Sequence, residues 1–253
     1  MKELDLNKKQ LIIDLLPVLQ GEGQYSGVPH FLIRTSGCNL NCAFSDSICD
    51  TAYASWKPEA PKYSYQDIID MVKKNPQIKH AFITGGEPTL NKQLLEDIVD
   101  ILNEEGIFIA IETNGTIYRD VNIDFVTISP KLSNSVPVPG TLLEDGIVNR
   151  AITDKDRSKH ETSRTNYNSM QLWYDGYPTQ FKFVISTGDE INEILEIQKK
   201  LMIDNSDIYL MPEGITNEQL HSKREMIFDL CIKHGFNYTD RLHIITYGNK
   251  RLA

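Results

Sequence analysis

The stretch Cys38-Asn39-Leu40-Asn41-Cys42-Ala43-Phe44-Ser45-Asp46-Ser47-Ile48-Cys49-Asp50-Thr51 decides how the rest of the chain is read. It holds three of the chain's four cysteines within twelve residues, directly after the apolar run Phe31-Leu32-Ile33. Buried, inert cysteines are small core residues spread among strands and helices, so three on one polar loop point to a shared ligand. Three thiolates can hold three corners of an iron–sulfur cube and leave one iron open. They can also supply three sides of a zinc tetrahedron, for which His30 is the nearest histidine. The loop by itself leaves both readings standing.

Outward from this loop the chain alternates strand, polar tip and helix. His30 to Arg34 reads as the strand that delivers the cysteines. Ser64 is placed to cap a helix through Lys74, closed by Pro76. His80 to Thr84 is a short strand followed at once by Gly85-Gly86-Glu87-Pro88. Asn91 caps a helix whose Leu94, Leu95, Ile98, Val99, Ile101 and Leu102 recur at helical spacing, and Gly106 stops it. Ile107 to Ile111, a nearly continuous apolar run, fits a parallel strand covered on both faces and ends in Glu112-Thr113-Asn114-Gly115. Phe125 to Ser129, Phe181 to Ser186, Ile208 to Met211 and Leu242 to Tyr247 read as further strands. Helices are expected from Asp189 to Leu201 and from a Thr216 cap to about His234. On the second of these Cys231 falls on the apolar stripe, as a core residue. The alternation predicts an α/β fold, a parallel β/α barrel or a doubly wound sheet, with its site at the carboxyl ends of the strands.

From Ser133 to Thr179 this periodicity stops, and polar residues and prolines dominate. A structureless loop of that length is uncommon, so the segment is expected to carry a short helix, over Leu142 to Ala151, or to act as a lid. The whole chain, 1–253, reads as a single domain with this irregular insertion at about 133–179.

Composition narrows the function. A net charge of −9 argues against a nonspecific nucleic-acid binder, whose affinity would come from a cationic surface. The longest apolar run, Ile107 to Ile111, is far too short to span a bilayer, and the start Met1-Lys2-Glu3-Leu4-Asp5 has no signal-peptide core. Clustered cysteines without an export signal fit a reducing cytoplasm, which also disfavours a disulfide.

A cysteine triad after the first barrel strand with Gly85-Gly86-Glu87-Pro88 after the next resembles the radical S-adenosylmethionine (SAM) superfamily. The resemblance implies a partial parallel β/α barrel whose open iron binds the amino and carboxylate groups of SAM. It narrows to the 7-carboxy-7-deazaguanine synthases through Leu19-Gln20-Gly21-Glu22-Gly23, Phe31 to Cys38, Cys49-Asp50-Thr51, Glu112 to Gly115 and Ser129-Pro130-Lys131. Gln180 to Val184, Leu210 to Gly214, Asp240-Arg241-Leu242-His243 and Gly248-Asn249-Lys250-Arg251 match as well, and His160 to Arg164 is similar to the longer members. One departure stands out. Many members space their cysteines C-x3-C-x2-C with an aromatic residue before the third. Here the spacing is C-x3-C-x6-C, as though Ser45 to Ile48 had been inserted between Phe44 and Cys49.

The family resemblance implies a lyase that converts 6-carboxy-5,6,7,8-tetrahydropterin to 7-carboxy-7-deazaguanine and ammonia for 7-deazaguanine (queuosine-type) biosynthesis. It implies a [4Fe–4S] cluster on Cys38, Cys42 and Cys49, and Mg2+ at Thr51. SAM would be held by Gly85, Gly86, Glu87, Thr113, Asn114, Ser129, Lys131, Pro212 and Glu213. Gln20 and Glu22 would read the pterin's amino-pyrimidinone edge, Arg34 would clamp its carboxylate, and His243 would lie nearby. Partners implied are a flavodoxin or ferredoxin-type electron donor and a second copy of the chain in a homodimer. Two other readings fit parts of the pattern. A glycyl-radical or anaerobic ribonucleotide reductase activating enzyme would share the cysteine and SAM motifs but would not need Gln20, Glu22 and Arg34. A non-enzymatic zinc-binding relative would be favoured by the insertion.

Overall fold

The computed structural model describes residues 4–44, 47–144 and 146–251. Met1–Glu3, at the head of the polar N-terminal stretch, and Ser45 and Asp46, half of the four-residue insertion, lie outside them.

Eight strands form one sheet: β1 (Ile12–Leu19), β2 (Pro29–Thr35), β3 (His80–Gly85), β4 (Phe108–Thr113), β5 (Phe125–Ile128), β6 (Thr179–Ile185), β7 (Ile208–Pro212) and β8 (Asn237–Tyr238). Their spatial order is their sequence order. β1 pairs with β2 antiparallel and every later pair is parallel. A doubly wound sheet reverses its strand order at a switch point. This one never does, so it curls in one direction as a partial parallel β/α barrel, with β1 and β8 left unpaired to each other.

The helices between strands form because their ends are capped and one face is apolar. In α1 (Tyr65–Lys74) Ser64 and Asp67 make a reciprocal capping box. In α2 (Lys92–Glu104) the Asn91 side chain accepts from the Leu94 N–H at 3.2 Å. Thr216 and Gln219 cap α6 (Asn217–His234), and Gly235, at φ 70°, ends it in the left-handed conformation that glycine adopts without strain. α5 (Ile191–Leu201) packs Ile194, Ile197 and Leu201 inward.

Period-two alternation along the strands divides the interior into two layers. Phe31, Ile33, Ala81, Ile83, Ile109, Ile111, Val126, Ile128, Phe181 and Phe183 join the main core with the apolar faces of the helices. Each such large side chain contributes roughly 1.5–3 kcal/mol of burial. The alternate residues face into the barrel. Leu32, Phe82, Ala110 and Phe125 sit opposite one another on adjacent strands and close the barrel floor with Tyr25. Two residues further along each strand the inward positions turn polar: Arg34, Thr84, Glu112 and Thr127, with Gln180 opposite Thr127. The apolar layer supports a polar one at the carboxyl ends of the strands.

Two expectations are corrected. Leu242–Tyr247 is not a strand but a short helix, α7. β-branched, apolar content suggested sheet, yet only Ile244 is buried, and the Leu242 N–H goes to the Gly21 carbonyl at 3.0 Å. Tertiary contact therefore overrides propensity. Leu142–Ala151 is not helical either: Leu142–Glu144 and Asn149–Ala151 pair as an antiparallel hairpin. The rest of the expected irregular segment contains α3 (Asp154–Ser163) and α4 (Tyr167–Gly176). α3 has no apolar stripe to signal it. Its buried residues, Asp156 and His160, are polar, and Thr153 caps it in a box with Asp156.

Candidate active site

The strand tips surround a cavity of about 720 Å³. Cys38, Cys42 and Cys49 line one side of it, with Gly85, Gly86, Thr113, Asn114, Ser129, Lys131 and Glu213. Gln20, Glu22, Arg34 and His243 line it too, as does Thr51. Of the residues singled out from sequence, Glu87 and Pro212 do not line it.

The cysteine loop is organised by backbone hydrogen bonds. Ala43 and Ile48 form an antiparallel bridge, and the Phe44 N–H reaches the Ser47 carbonyl at 2.7 Å. These contacts bring Phe44 and Ser47 side by side, and the Cys49 N–H meets the Cys42 carbonyl at 3.1 Å. That carbonyl also accepts from the Trp56 indole at 2.9 Å. The hairpin and α3 brace the loop from outside. Leu143, Val148 and Ile152 pack on Ala43 and Ala52, the Ser135 carbonyl accepts from the Ala43 N–H, and Asn41 donates to the Asp156 carboxylate. So the segment expected as a lid packs on the loop as a buttress.

All three cysteines are free thiols. Burial, then the Glu87 carboxylate, push the Cys38 thiol up to about 12, and burial also raises Cys42 and Cys49. Thiols so placed deprotonate for a cationic metal group, not spontaneously. Among the described residues no three of Cys, His, Asp and Glu converge on a point that a single ion could occupy. His30 is fully buried at the opposite end of β2, against Tyr25 and His80, with Nδ1 on the Val28 carbonyl. The fourth cysteine, Cys231, is in the core. Three thiols of one loop at the wall of one cavity are a donor set that suits a cube, whose thiolates bind separate irons.

The glycines of Gly85-Gly86 are required first by packing. A Cβ on Gly86 would lie 2.3 Å from the Gly37 carbonyl oxygen and 2.5 Å from that of Ala54, and one on Gly85 would strike Thr35. The β3 tip can therefore lie flat against the stem of the cysteine loop, where the Glu87 N–H donates to the Gly37 carbonyl at 2.8 Å. Glu87 itself points away from the cavity. Its carboxylate accepts from Thr89, from the Thr113 hydroxyl at 2.8 Å and from the Asn114 N–H at 2.7 Å, locking the β3 and β4 tips together. Asn114 in turn donates to Asn39 of the cysteine loop. Lys131 donates to Ser129 at 2.7 Å, and Glu213 accepts from Ser47 at 3.0 Å and from the buried Lys223 at 2.9 Å.

The other side of the cavity is an ion-pair network that sequence reading only half identified. Glu22 accepts from Lys182 of β6 at 2.5 Å and from Arg241 at 2.9 Å. Lys182 also bonds Glu112 of β4 at 2.5 Å, and Arg241 also bonds Asp50. Asp50 accepts from the Thr51 hydroxyl at 2.6 Å. Burial acts to raise the Glu22 carboxyl, but Lys182, Arg241 and His243 together hold it well below the usual range. Burial acts to raise Asp50 too, but Arg241 and the Thr51 hydroxyl together hold it below its usual range. Burial lowers His243, and Glu22 opposes this without cancelling it. Gly21 and Gly23 let this network form. A Cβ on Gly21 would overlap His243, and one on Gly23 would overlap Gln180. Arg34 is not free: its Nε donates to the buried Asp14 at 2.9 Å. Asp14 also accepts from Tyr53 and from Arg251, whose guanidinium stacks on the Tyr53 ring at 3.7 Å. Lys182, Glu112, Arg241 and Asp50 were the residues missed as site members. The signal was present: Lys182 is a lysine between Phe181 and Phe183 in a strand whose next inward residue, Val184, also lines the site.

Residues 32–134 match the family model of the radical SAM superfamily. The chain is 37% identical to the 7-carboxy-7-deazaguanine synthase of Rhodopirellula baltica over 95% of its length and 88% of the relative's. It is 35% identical to that of Halobacterium salinarum, over 94% of this chain and 90% of the other. The chain belongs to the 7-carboxy-7-deazaguanine synthase family. As a radical SAM lyase of that family it takes a [4Fe–4S] cluster and SAM, which excludes the non-enzymatic zinc reading. Its fold resembles the crystal structure of QueE from Escherichia coli, at a TM-score of 0.63 and 21% identity over 92% of this chain and 93% of the other. A more distant likeness is to TYW1 with a lysine–pyruvate adduct bound, at a TM-score of 0.52 and 16% identity over 81% and 72%.

Proposed function

We propose that this 7-carboxy-7-deazaguanine synthase family member converts 6-carboxy-5,6,7,8-tetrahydropterin to 7-carboxy-7-deazaguanine and ammonia in the cavity at its strand tips. One observation carries the reading: the three-cysteine loop and the Gln20, Glu22, Arg34 and His243 set line the same cavity. When bound on Cys38, Cys42 and Cys49, the cluster supplies the one-electron cleavage of SAM that starts the reaction.

The chain's own residues bind, orient and exclude water. Glu22, ionised and held by two cations, accepts from the N–H row of the pterin's amino-pyrimidinone edge, with the Gln20 amide beside it. Arg34 uses only its Nε on Asp14, which leaves the guanidinium's outer nitrogens to grip a substrate carboxylate. His243, kept neutral by burial, offers one N–H and one lone pair. Gly85, Gly86, Thr113, Asn114, Ser129, Lys131 and Glu213 form the SAM side. Glu87 acts by fixing Thr113 and Asn114, and Pro212 by ending β7 before Glu213. Mg2+ is taken at the Thr51 hydroxyl together with substrate oxygens, since one hydroxyl alone is too weak a donor set. Single-domain organisation, a homodimer, a cytoplasmic location and a flavodoxin or ferredoxin-type donor complete the reading. Among the described residues no helix is long and apolar enough to cross a membrane.

Anaerobic reconstitution with iron and sulfide, followed by turnover of the carboxytetrahydropterin with SAM, reductant and Mg2+, tests it. The deazapurine product, identified by its ultraviolet spectrum and reduced when Mg2+ is withheld, is the expected result. A loaded cluster that cleaves SAM while the pterin stays unchanged would overturn the substrate assignment and keep the enzyme class.

A further inference from the structure

Lys182 is 2% exposed, in a strand whose neighbours Phe181 and Phe183 are fully buried on the opposite face. Burying an ammonium is costly unless it is paired and hydrogen-bonded, and a methionine would fill the same space without that cost. A structural ion pair needs one carboxylate. Lys182 takes two, from separate elements: Glu22 on the loop between β1 and β2, and Glu112 at the end of β4, each at 2.5 Å. Both line the cavity.

We propose that Lys182 is a positioning residue for substrate recognition: its ammonium holds Glu22 and Glu112 side by side as an acceptor-only edge that selects a heterocycle presenting adjacent N–H donors. The inference rests on the pterin reading above and deepens it. Ionised carboxylates accept and cannot donate, so a ring bearing lone pairs in place of those N–H groups meets oxygen facing oxygen. The charges facing one another are Glu22, Glu112 and Asp50 against Lys182 and Arg241, three carboxylates to two cations, with His243 beside Glu22 at 3.8 Å. One negative charge is thus left over at the cavity wall, where polarised N–H donors meet it. Without Lys182, Glu112 has no cation and Glu22 keeps only Arg241, and this pair of carboxylates relieves its repulsion by sharing a proton, which replaces an acceptor by a donor.

The test compares wild type with Lys182→Gln in the reconstituted enzyme, reading kcat, KM and the equilibrium affinity for the pterin without SAM, between about pH 6 and pH 9. Wild type should hold a flat KM across that range. Lys182→Gln should raise KM and weaken binding by about tenfold to a hundredfold at the acid end, the cost of disturbing a charged hydrogen-bond pair. The deficit should shrink as pH rises, and kcat should move far less. Lys182→Gln/Glu112→Gln restores the wild-type charge balance, so it should lose the pH dependence and keep the raised KM. That double variant also serves if the single one fails to fold. A wild-type KM in either variant, a KM defect equal at every pH in Lys182→Gln, or a loss confined to kcat would overturn the inference. Wild type that never turns over the pterin would sink the substrate reading instead, and that failure is seen without any variant.

Discussion

At one side of the cavity, Lys182 and Arg241 already satisfy Glu22, Glu112 and Asp50, and Glu22 and Asp50 are held ionised by cations within hydrogen-bonding reach. At the other side, three thiols, Cys42 buried and Cys38 and Cys49 half-buried, face the same space, each raised by burial, with Lys131 as the cation that acts against the rise. The first side has every carboxylate paired within the protein and one negative charge to spare, and the second is complete only with its metal group. The protein therefore preorganises the proposed substrate edge with charge and the cysteine loop with backbone. The loop's shape comes from the Cys49–Cys42, Ala43–Ser135 and Glu87–Gly37 hydrogen bonds, which exist whether or not the thiols are ionised.

The largest expected effect breaks the incomplete side. Cys49→Ala removes one of three cluster ligands and should abolish both the visible absorbance of the reconstituted cluster and all product formation. Cluster loading should itself raise the melting temperature of the wild type, because a group bound only by the folded state stabilises it. A Cys49→Ala protein that still loads a cluster and turns over would show that the insertion has displaced the third ligand elsewhere.

The next effect separates the two sides by stability. Arg241→Met takes the cation from the largely buried Glu22 as well as from the exposed Asp50, and losing the buried pair should cost roughly 3–5 kcal/mol in denaturant unfolding. Cys42→Ala, measured on metal-free protein, removes only a small apolar group and should cost about 1 kcal/mol. Equal costs would mean that the substrate side is not held together by its charges.

Much of this contrast was legible in the residues. The strand and helix order followed from period and caps, because Ser64, Asn91, Thr216 and Gly235 sit where helix ends need them. The cysteine triad and Gly85-Gly86 were read correctly as neighbours, although the glycines answer first to the Gly37 and Ala54 carbonyls, a contact between loops far apart in sequence. What escaped was nonlocal. Arg241 meets Glu22 across most of the chain's length, and nothing near either residue announces the other. α3 escaped because its buried residues are an aspartate and a histidine, and α7 because β-branched residues were placed beyond the last sheet edge, on the barrel mouth. Periodicity finds elements that bury apolar faces, and it is silent on elements docked by polar contacts.

A smaller effect probes the buttress. Burial, with Arg164, Lys131 and Lys159, pushes the His160 imidazole down to about 4, and its Nε2 pairs with the Ser135 hydroxyl at 3.0 Å. The folded state thus binds its proton less tightly than the unfolded chain, near 6.5. Stability from the neutral ring is complete above about pH 6.5 and is lost as pH falls from there toward 4, with a slope of at most about 1.4 kcal/mol per pH unit. Denaturant midpoints across that window should fall more steeply for wild type than for His160→Gln. Parallel lines would place the ring in water.

The smallest effect tests what the insertion does. Ser47 belongs to it, and its hydroxyl crosses to Glu213 at the β7 tip, on the proposed SAM side. Glu213 is fixed independently by the buried Lys223, so losing Ser47 should not release it. Ser47→Ala should therefore cost only about 0.5–1.5 kcal/mol, one partly exposed hydrogen bond, and raise the KM for SAM a few-fold with cluster content unchanged. A loss of cluster in Ser47→Ala would make the tie a support of the cysteine loop, and the backbone bridge between Ala43 and Ile48 would then be insufficient to return Cys49 to Cys42. The bridge and the Phe44–Ser47 hydrogen bond involve no Ser47 side-chain atom, which is why cluster content is expected to survive.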